Sequence, residues 1–163
     1  MRIGVAADHG GFSMKEQLAR KLAFDGHEVV DFGNEVLDSS DDYPDFAVPL
    51  ARAVAGGHVE RGVLLCGSGI GASIAANKVN GARAAICHDD YSARQGVQDD
   101  DMNILCLGGR TTGIEVAWDC VRSFLGVTFS GAPRHQRRLA KVKQIEGRLD
   151  ANLTGGLTKG ERE

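Results

Sequence analysis

Short apolar runs alternate along the chain with longer segments in which apolar residues recur every three or four positions. The short runs have the length of strands, and the longer segments have the periodicity of helices packed on a core. The predicted strands cover residues 2–7, 27–32, 62–65, 82–87 and 103–107. The predicted helices cover residues 13–26, 44–56, a segment from about residue 71, 91–97, 112–125 and 133–149. This alternation indicates an α/β fold, Rossmann-like, with a five-stranded parallel sheet in a three-layer α/β/α sandwich.

The same pattern predicts how the chain is divided. Its 163 residues are 42% hydrophobic, which suits one core and one domain. From about residue 150 the sequence becomes small and polar, and it includes three glycines. Such a segment buries too little apolar surface to order itself. We therefore expect a single domain over residues 1–149 and a flexible C-terminal tail over residues 150–163.

Composition and charge argue against several classes of function. The net charge is −3 with acidic and basic residues interspersed, so no overall field attracts nucleic acid or a membrane. No apolar run reaches membrane-spanning length, and the first residues lack the layout of a signal peptide. The four cysteines form no CxxC pair and lack zinc-ligand spacing. We expect a cytoplasmic protein with reduced thiols and neither nucleic-acid nor membrane partners.

Residues 61–78 carry the most informative motif. A buried strand leads into a turn with glycines at positions 67, 69 and 71, and a helix follows. The backbone N–H groups of such a turn lack helical partners and point the same way, so they can hold an anion or a developing oxyanion. Cys66 stands where the strand ends. A helix N-terminus favours the thiolate form of a nearby cysteine, which can serve as nucleophile or base.

Other polar residues follow the predicted strands. Asp8 and His9 come after the first strand, His88 after the fourth and Arg110 after the fifth. In parallel sheets, ligands bind beyond the carboxyl ends of the strands, near the point where the strand order reverses. We therefore expect His9 to contact a ligand.

Two arginines near the start of the last predicted helix suit a phosphate group. Arg134 and Arg138 are four residues apart and so share one helical face. From these residues alone, a solvated basic turn is an equally good interpretation.

Three further features have less specific interpretations. The other cysteines are interpreted as inert, buried side chains, namely Cys87, Cys106 and Cys120. The turn also matches the dinucleotide-binding pattern GxGxxA, with Asp89 or Asp90 about 20 residues later, but the chain has no room for a substrate domain. Residues 99–101, three consecutive aspartates, are predicted to form a solvated loop rather than a metal site.

Six short motifs between residues 8 and 138 carry a resemblance that extends over nearly all of residues 1–149. They are Asp8-His9-Gly10-Gly11-Phe12, Asp42-Tyr43-Pro44, Cys66-Gly67-Ser68-Gly69-Ile70-Gly71, Ala75-Ala76-Asn77-Lys78, Tyr91-Ser92-Ala93 and Arg134-His135-Gln136-x-Arg138. In these motifs the chain resembles the ribose-5-phosphate isomerase B family, which includes galactose-6-phosphate and allose-6-phosphate isomerases. The resemblance implies an aldose–ketose isomerase of sugar phosphates that uses no metal and no cofactor. It also implies a homodimer, or a larger oligomer, whose active sites draw on both subunits.

The resemblance assigns roles to individual residues. Cys66 would be the general base that moves a proton between C1 and C2, and Ser68 would help to move the proton between the two oxygens. The backbone N–H groups of the turn would stabilise the enediolate, and they belong to Gly67, Gly69, Ile70 and Gly71. The phosphate would be held by His9, Arg110, Arg134 and Arg138. Asp8 would contact the sugar hydroxyls.

One position departs from the family pattern. Where the family usually has a ring-opening histidine followed by an asparagine, this chain has Asp99 and Asp100. A carboxylate is a poor proton donor at neutral pH unless its environment favours the protonated form. Asp99 keeps the ring-opening role if the adjacent carboxylates raise its pKa and so favour its protonated form. His88 is the other candidate for this role.

This departure leaves the substrate open. Ribose 5-phosphate with ribulose 5-phosphate is the default pair, and allose or galactose 6-phosphate is an alternative. A tetrose 4-phosphate cannot close a five-membered ring, so its isomerase needs no ring-opening histidine. A catalytically silent sugar-phosphate-binding protein is a rival, although it would have no use for a base at Cys66.

Overall fold

The computed structural model describes residues 1–155, and the side chains of residues 1–146. Within these residues, five strands form one sheet in which every neighbouring pair is parallel. In chain order they are β1 (Arg2–Ala7), β2 (Glu28–Asp31), β3 (Arg61–Cys66), β4 (Ala84–Ile86) and β5 (Ile104–Gly108). The order across the sheet is β2-β1-β3-β5-β4. The predicted five-stranded parallel sheet is confirmed.

Helices cover both faces of this sheet. They are α1 (Phe12–Phe24), α2 (Pro44–Ala55), α3 (Ile70–Ala76), α4 (Asp90–Asp100), α5 (Ile114–Leu125) and α6 (Pro133–Gly155). One apolar cluster joins the sheet to α1, α4 and α5, and a second joins it to α2 and α3. Because side chains alternate along a strand, Leu65 packs in the first cluster and Cys66 in the second. The predicted three-layer sandwich is confirmed.

The strand register brings the ends of three central strands together. Ala7 of β1 lies opposite Leu65 of β3, and Cys66 lies opposite Gly108 of β5. We call this side of the sheet, where the strands end, the carboxyl edge, and the opposite side the amino edge. The chain places β2 on one side of β1 and β3 on the other. The strand order therefore reverses between β1 and β3, next to Cys66.

The aspartate run does not form the predicted loop. Helix α4 extends to Asp100, and Asp101 caps it in the left-handed conformation with φ 53°. Asp89 is the N-cap that precedes the helix, and its carboxylate accepts a hydrogen bond from the Ser92 N–H at 2.7 Å. Asp99 and Asp100 are thus held on the last turn of a helix, which makes the sequence-based boundary wrong. Asp89 is occupied as a cap, which argues against a role in dinucleotide binding.

The C-terminal boundary also differs from the prediction. Helix α6 continues to Gly155, beyond the predicted helix end at residue 149, so residues 150–155 belong to this helix. The division into a domain over residues 1–149 and a flexible tail stays a prediction. The remainder of the predicted tail, residues 156–163, lies outside the described residues. Its flexibility stays a prediction.

All four cysteines are free and buried. Burial raises the pKa of Cys87 and of Cys120 to about 11, and burial also raises the pKa of Cys106. These three thiols are therefore protonated at neutral pH, which agrees with their interpretation as core side chains.

No described helix combines the length and apolar character needed to cross a bilayer. Among the same residues, no group of three or more His, Cys, Asp or Glu side chains could hold a metal ion. The cytoplasmic location stays a prediction.

Candidate active site

The turn after β3 points a backbone amide at the Cys66 sulfur. The Gly69 N–H donates a hydrogen bond to Sγ at 3.0 Å, and Cys66 is 5% exposed. Gly69 has φ 84°, a left-handed conformation that a glycine adopts without strain, and it immediately precedes α3. The chain reverses direction at Gly69, and this reversal brings the Gly69 N–H group close to the Cys66 sulfur. An N–H group at this distance is placed to donate to negative charge that develops on the sulfur.

The neighbouring amides remain available to a ligand. In the part of the chain that the structure describes, no protein group accepts a hydrogen bond from the N–H of Gly67, Ser68, Ile70 or Gly71. The carbonyl groups of the turn are bonded instead. Cys66 O accepts from the Gly109 N–H at 2.8 Å, and Gly67 O accepts from the Arg110 N–H at 3.0 Å. The turn is thus fixed through its carbonyls while its donors stay open.

Glycines allow the three turns at the carboxyl edge to touch. A Cβ atom at Gly10 would lie 2.6 Å from the Gly67 nitrogen, and one at Gly109 would lie 2.4 Å from the Gly10 oxygen. Any side chain at either position would push backbone against backbone. The turns after β1, β3 and β5 therefore form one packed unit, and small residues are what permits it.

Asp8 and His9 lie beside this unit with different degrees of exposure. Asp8 is 7% exposed, and its Oδ1 accepts the Gly10 N–H at 2.8 Å. His9 is half-buried, and both its backbone N–H and its Nδ1 contact Asp41 Oδ1, at 2.9 and 2.7 Å. The hydrogen bond with Asp41 raises the pKa of His9, and the charge of Asp8 adds to this, against desolvation and the positive charge of Arg110.

Two further side chains border the turn. Arg110 is exposed, and its guanidinium lies near Gly67, at 3.8 Å from where a Cβ there would stand. The ring of Tyr43 lies against Gly71, since a Cβ at Gly71 would approach it to 2.9 Å. The edge thus combines a thiol, open amides, an imidazole and a guanidinium. This set can bind an anionic ligand and move a proton.

A second cluster of predicted site residues lies at the end of α4. Gln95 Nε2 donates to Asp99 Oδ2 at 3.0 Å, and His135 Nδ1 lies 3.5 Å from Asp99 Oδ1. His135 is 3% exposed, and its Nε2 accepts from Arg134 Nε at 2.7 Å. The Ser130 hydroxyl lies 2.7 Å from His135 Nδ1. Asp99 is therefore linked to Arg134 through a buried imidazole.

The second cluster lies at the opposite side of the sheet. Helix α4 starts after β4, at the carboxyl edge, and ends before β5, so its last turn is at the amino edge. Arg134 lies at the start of α6. The segment just before α6 is bonded to the last turn of α4, because the Ser130 N–H donates to Gln98 O at 3.0 Å. Within one chain, the fold therefore separates Asp99 and Arg134 from Cys66.

Asp100 and Arg138 line a groove between α6 and the β4 side of the molecule. Its volume is about 560 Å³, and its walls are mostly apolar, with Met102, Leu139 and Val142 among them. Both charged residues are exposed. Neither is described in contact with Cys66 or with the turn that follows it.

Three comparisons with known proteins bear on this arrangement. The profile of the Ribose/Galactose Isomerase family matches residues 3–142. The chain belongs to this family. Ribose-5-phosphate isomerase B of Escherichia coli strain K12 is 42% identical over 147 residues, which cover 90% of this chain and 97% of that protein. D-erythrulose-4-phosphate isomerase 2 of Mycolicibacterium smegmatis is 36% identical over 149 residues, covering 90% and 98%.

A solved structure of the family has the same fold. The ribose-5-phosphate isomerase B of Clostridium thermocellum superposes with a TM-score of 0.88 at 45% identity, covering 91% of this chain and 99% of that one. The protein is accordingly a sugar-phosphate isomerase of the ribose/galactose isomerase family.

Family membership makes the position of His88 informative. His88 is exposed and borders a groove with Asp119 and Arg122 of α5. It follows β4, which is separated from β3 by β5. Two strand spacings put it roughly 10 Å along the edge from Cys66. This location gives no support to His88 as a substitute for the ring-opening histidine.

The contacts of two side chains in the ribose/galactose isomerase fold have no counterpart in the sequence pattern. Asp41 lies in a polar loop 32 residues from His9, and nothing in the sequence pairs the two. In the sequence His135 is only part of a motif, and its burial results from the packing of α6 on α4. The Asp-rich composition of the loop is the one available signal for Asp41.

Proposed function

We propose that the protein interconverts an aldose phosphate and a ketose phosphate through an enediolate, with Cys66 as the general base. The observation that carries the proposal is the turn after β3, where Gly69 donates to Sγ at 3.0 Å and the adjoining amides stay open. A base and a preorganised set of donors at one place suit a reaction that develops negative charge next to carbon. Binding alone would require no base.

The proposed proton movements balance. The Cys66 thiolate takes the proton from C2 of the aldose, and the electrons move to the carbonyl oxygen at C1. The amides of Gly67, Ile70 and Gly71 stabilise the resulting enediolate. Ser68 carries a proton from the C2 oxygen to the C1 oxygen, and the Cys66 thiol returns its proton to C1. These residues supply every proton transfer of the isomerisation of the open-chain sugar, and the proposed mechanism uses no cofactor.

Substrate binding in this proposal uses both clusters of residues. His9 and Arg110 contact the phosphate from the subunit that supplies Cys66, and Asp8 contacts sugar hydroxyls. Arg134, Arg138 and Asp100 come from a second copy, because the fold keeps the end of α4 and the start of α6 away from Cys66 within one chain. A homodimer with two shared sites satisfies this requirement, since a twofold axis presents each edge to the other subunit.

Ribose 5-phosphate is the first substrate to consider. The relative from Escherichia coli is named a ribose-5-phosphate isomerase B, and it matches the chain over 90% of its length. Arginine pairs bind phosphate with little regard to the length of the attached sugar. The phosphate contacts therefore do not separate a pentose from allose or galactose 6-phosphate.

A tetrose 4-phosphate is the second candidate, and the surroundings of Asp99 favour it. Gln95 and His135 approach the two oxygens of this carboxylate within its own chain. A carboxylate held in this way is poorly suited to open a sugar ring. A tetrose 4-phosphate has no five-membered ring to open, and the Mycolicibacterium smegmatis relative is named a D-erythrulose-4-phosphate isomerase.

Hydrogen exchange tests the reaction and the substrate together. The protein is incubated in deuterated water with four-, five- and six-carbon sugar phosphates, and loss of the C2 proton signal is followed by NMR. We expect exchange with a pentose 5-phosphate or a tetrose 4-phosphate. Exchange with none of the sugars would contradict the isomerase mechanism.

The Cys66→Ala variant is the control for the base. It should lose turnover by about a thousandfold, in the range of general acid–base contributions, while it still binds inorganic phosphate. Cys120→Ala removes another buried thiol far from the turn and should keep full turnover. Retained exchange in Cys66→Ala would remove Cys66 from the mechanism.

A further inference from the structure

The polar loop between β2 and α2 places a carboxylate directly behind His9. Asp41 has a side chain that is 8% exposed, and it contacts His9 at two points. We propose that Asp41 is a positioning residue that holds the His9 ring in its charged form, with Nε2–H directed at the substrate phosphate. The phosphate contact of His9 rests on the function proposed above, whereas the Asp41–His9 pair does not.

Two contacts to one oxygen restrict the histidine ring. Asp41 Oδ1 accepts the His9 backbone N–H at 2.9 Å and lies 2.7 Å from His9 Nδ1. Because the main chain and the ring are bonded to the same atom, the ring cannot turn without breaking one of these bonds. Nδ1 is occupied by the carboxylate, which leaves Nε2 as the ring nitrogen for a ligand. A fixed donor binds phosphate with less loss of side-chain entropy.

The loop that carries Asp41 is itself anchored by a buried cation. Asn34 Nδ2 donates to Asp41 Oδ2 at 3.3 Å, and Asn34 O accepts from Lys15 Nζ at 2.8 Å. Lys15 is fully buried, and its Nζ also contacts Asp31 Oδ2 at 2.6 Å. A buried lysine requires such partners to stay charged. Its role here is to hold the loop from which Asp41 reaches His9.

Four charged groups influence His9, and their signs differ. Asp41 raises the pKa of His9 most strongly through its hydrogen bond, and Asp8 raises it further, while Arg110 lowers it. The fourth group is Asp38 of the same loop, whose own pKa is lowered, mainly by hydrogen bonds from Ser40 and slightly by His9. A raised pKa keeps the imidazolium charged to higher pH. Phosphate binding through His9 should therefore persist above the ordinary pKa of histidine and weaken as pH rises through the raised value.

The test replaces the carboxylate with an amide of the same shape. In Asp41→Asn, NMR titration of the His9 ring should show a lower midpoint than in the wild type. Affinity for inorganic phosphate should fall by about tenfold, the value of one charge-assisted hydrogen bond. In the active enzyme, KM should rise by a similar factor with kcat within about twofold, and the rise of KM with pH should begin at lower pH.

Two further variants separate charge from position. Asp45→Asn removes a carboxylate four residues away on the exposed first turn of α2, and it should leave the His9 midpoint unchanged. Asn34→Ala removes the hydrogen bond to Asp41 Oδ2 but leaves the charge of Asp41 in place. Phosphate affinity should therefore fall, while the midpoint of the His9 titration should change less than it does in Asp41→Asn.

An unchanged His9 midpoint in Asp41→Asn would overturn the proposal, as would unchanged phosphate affinity. Because the ring titration and phosphate binding need no turnover, they test Asp41 even if the isomerase reaction fails. A failed deuterium exchange with an intact His9 shift would count against the function and not against the Asp41–His9 pair.

Discussion

At the scale of single residues, the four cysteines differ in what surrounds their sulfur atoms. Burial raises the pKa of Cys87 and Cys120 to about 11, so these thiols stay protonated. Cys66 is also buried, but a backbone amide points at its sulfur from the turn that follows. The four thiols are all buried, so exposure does not distinguish Cys66 from the others, whereas the backbone amide at its sulfur is the geometric basis of the role proposed for it.

Position 99 provides a prediction at the residue scale. Asp99→His should restore a group able to give and take a proton, and it should speed isomerisation of ribose 5-phosphate by about tenfold or more if ring opening limits the rate. Turnover of a tetrose 4-phosphate, which has no such ring, should stay within about twofold. Steady-state rates on both substrates measure this.

A histidine placed on the same helix is the control. Arg94 is exposed on α4, and Arg94→His should change neither rate. Equal rates for Asp99→His and the wild type on ribose 5-phosphate would show that position 99 does not control the rate-limiting step.

At the scale of elements, the turn between β3 and α3 works because its carbonyls and its amides have different partners. Its carbonyls accept bonds from the turn after β5, and its amides are left for Cys66 and the ligand. Helix α3 runs only from Ile70 to Ala76. Residues whose N–H groups have no partner within the helix therefore make up much of it. In the proposed mechanism the start of this helix presents donors, while Ala72 and Ala76 pack in the core.

Gly69 allows a prediction at this scale. In Gly69→Ala, the new Cβ would lie 3.2 Å from the Leu107 carbonyl carbon, at a residue with φ 84°. The turn must shift, and the amide that faces Cys66 must move with it. We expect kcat to fall by about tenfold, the value of one hydrogen bond to a charged group, because the proposed base loses the donor at its sulfur. Initial rates and thermal unfolding should be measured together.

Gly26→Ala is a matched control for backbone strain. Gly26 also has φ 84°, but nothing lies within 4 Å of where its Cβ would stand. The left-handed conformation should cost about 1 kcal/mol of unfolding free energy in both variants, and only Gly69→Ala should lose activity. If both variants lose activity in proportion to stability, the turn geometry is not what matters.

At the scale of the whole molecule, the residues proposed for one site lie at two sides of the sheet. Cys66, His9 and Arg110 follow strands at the carboxyl edge, whereas Asp99 and Arg134 lie at the amino edge. The alternation of strand and helix forces this, because α4 must carry the chain back to start β5. A site that uses both sets requires a second subunit.

Mixing two inactive variants tests this arrangement. Cys66→Ala and Arg134→Ala are each expected to be poorly active, because every site in either homodimer lacks one group. In a mixed dimer, one of the two sites combines an intact Cys66 with an intact Arg134. Co-expression with random pairing should then restore about a quarter of wild-type activity.

A mixture prepared from separately purified variants without subunit exchange should stay inactive and is the control. Failure to regain activity in mixed dimers that are isolated with two different tags would show that Cys66 and Arg134 act from the same chain.

The amino-acid sequence by itself determined the parallel sheet, the turn after β3 and the family. These depend on local signals, namely apolar periodicity and glycines at positions where the backbone needs them. Local signals were less accurate at helix ends. The sequence-based end of α4 came before Asp99, because a polar aspartate run resembles a loop until neighbouring helices hold it.

Only the tertiary structure decided which side chains meet. Asp41 reaches His9 across 32 residues because a buried Lys15 holds its loop, and no periodicity records such a contact. The strand order likewise decided that Asp99 and Arg134 lie away from Cys66. Contacts between residues distant in sequence depend on how the elements pack, whereas the elements themselves follow from neighbours along the chain.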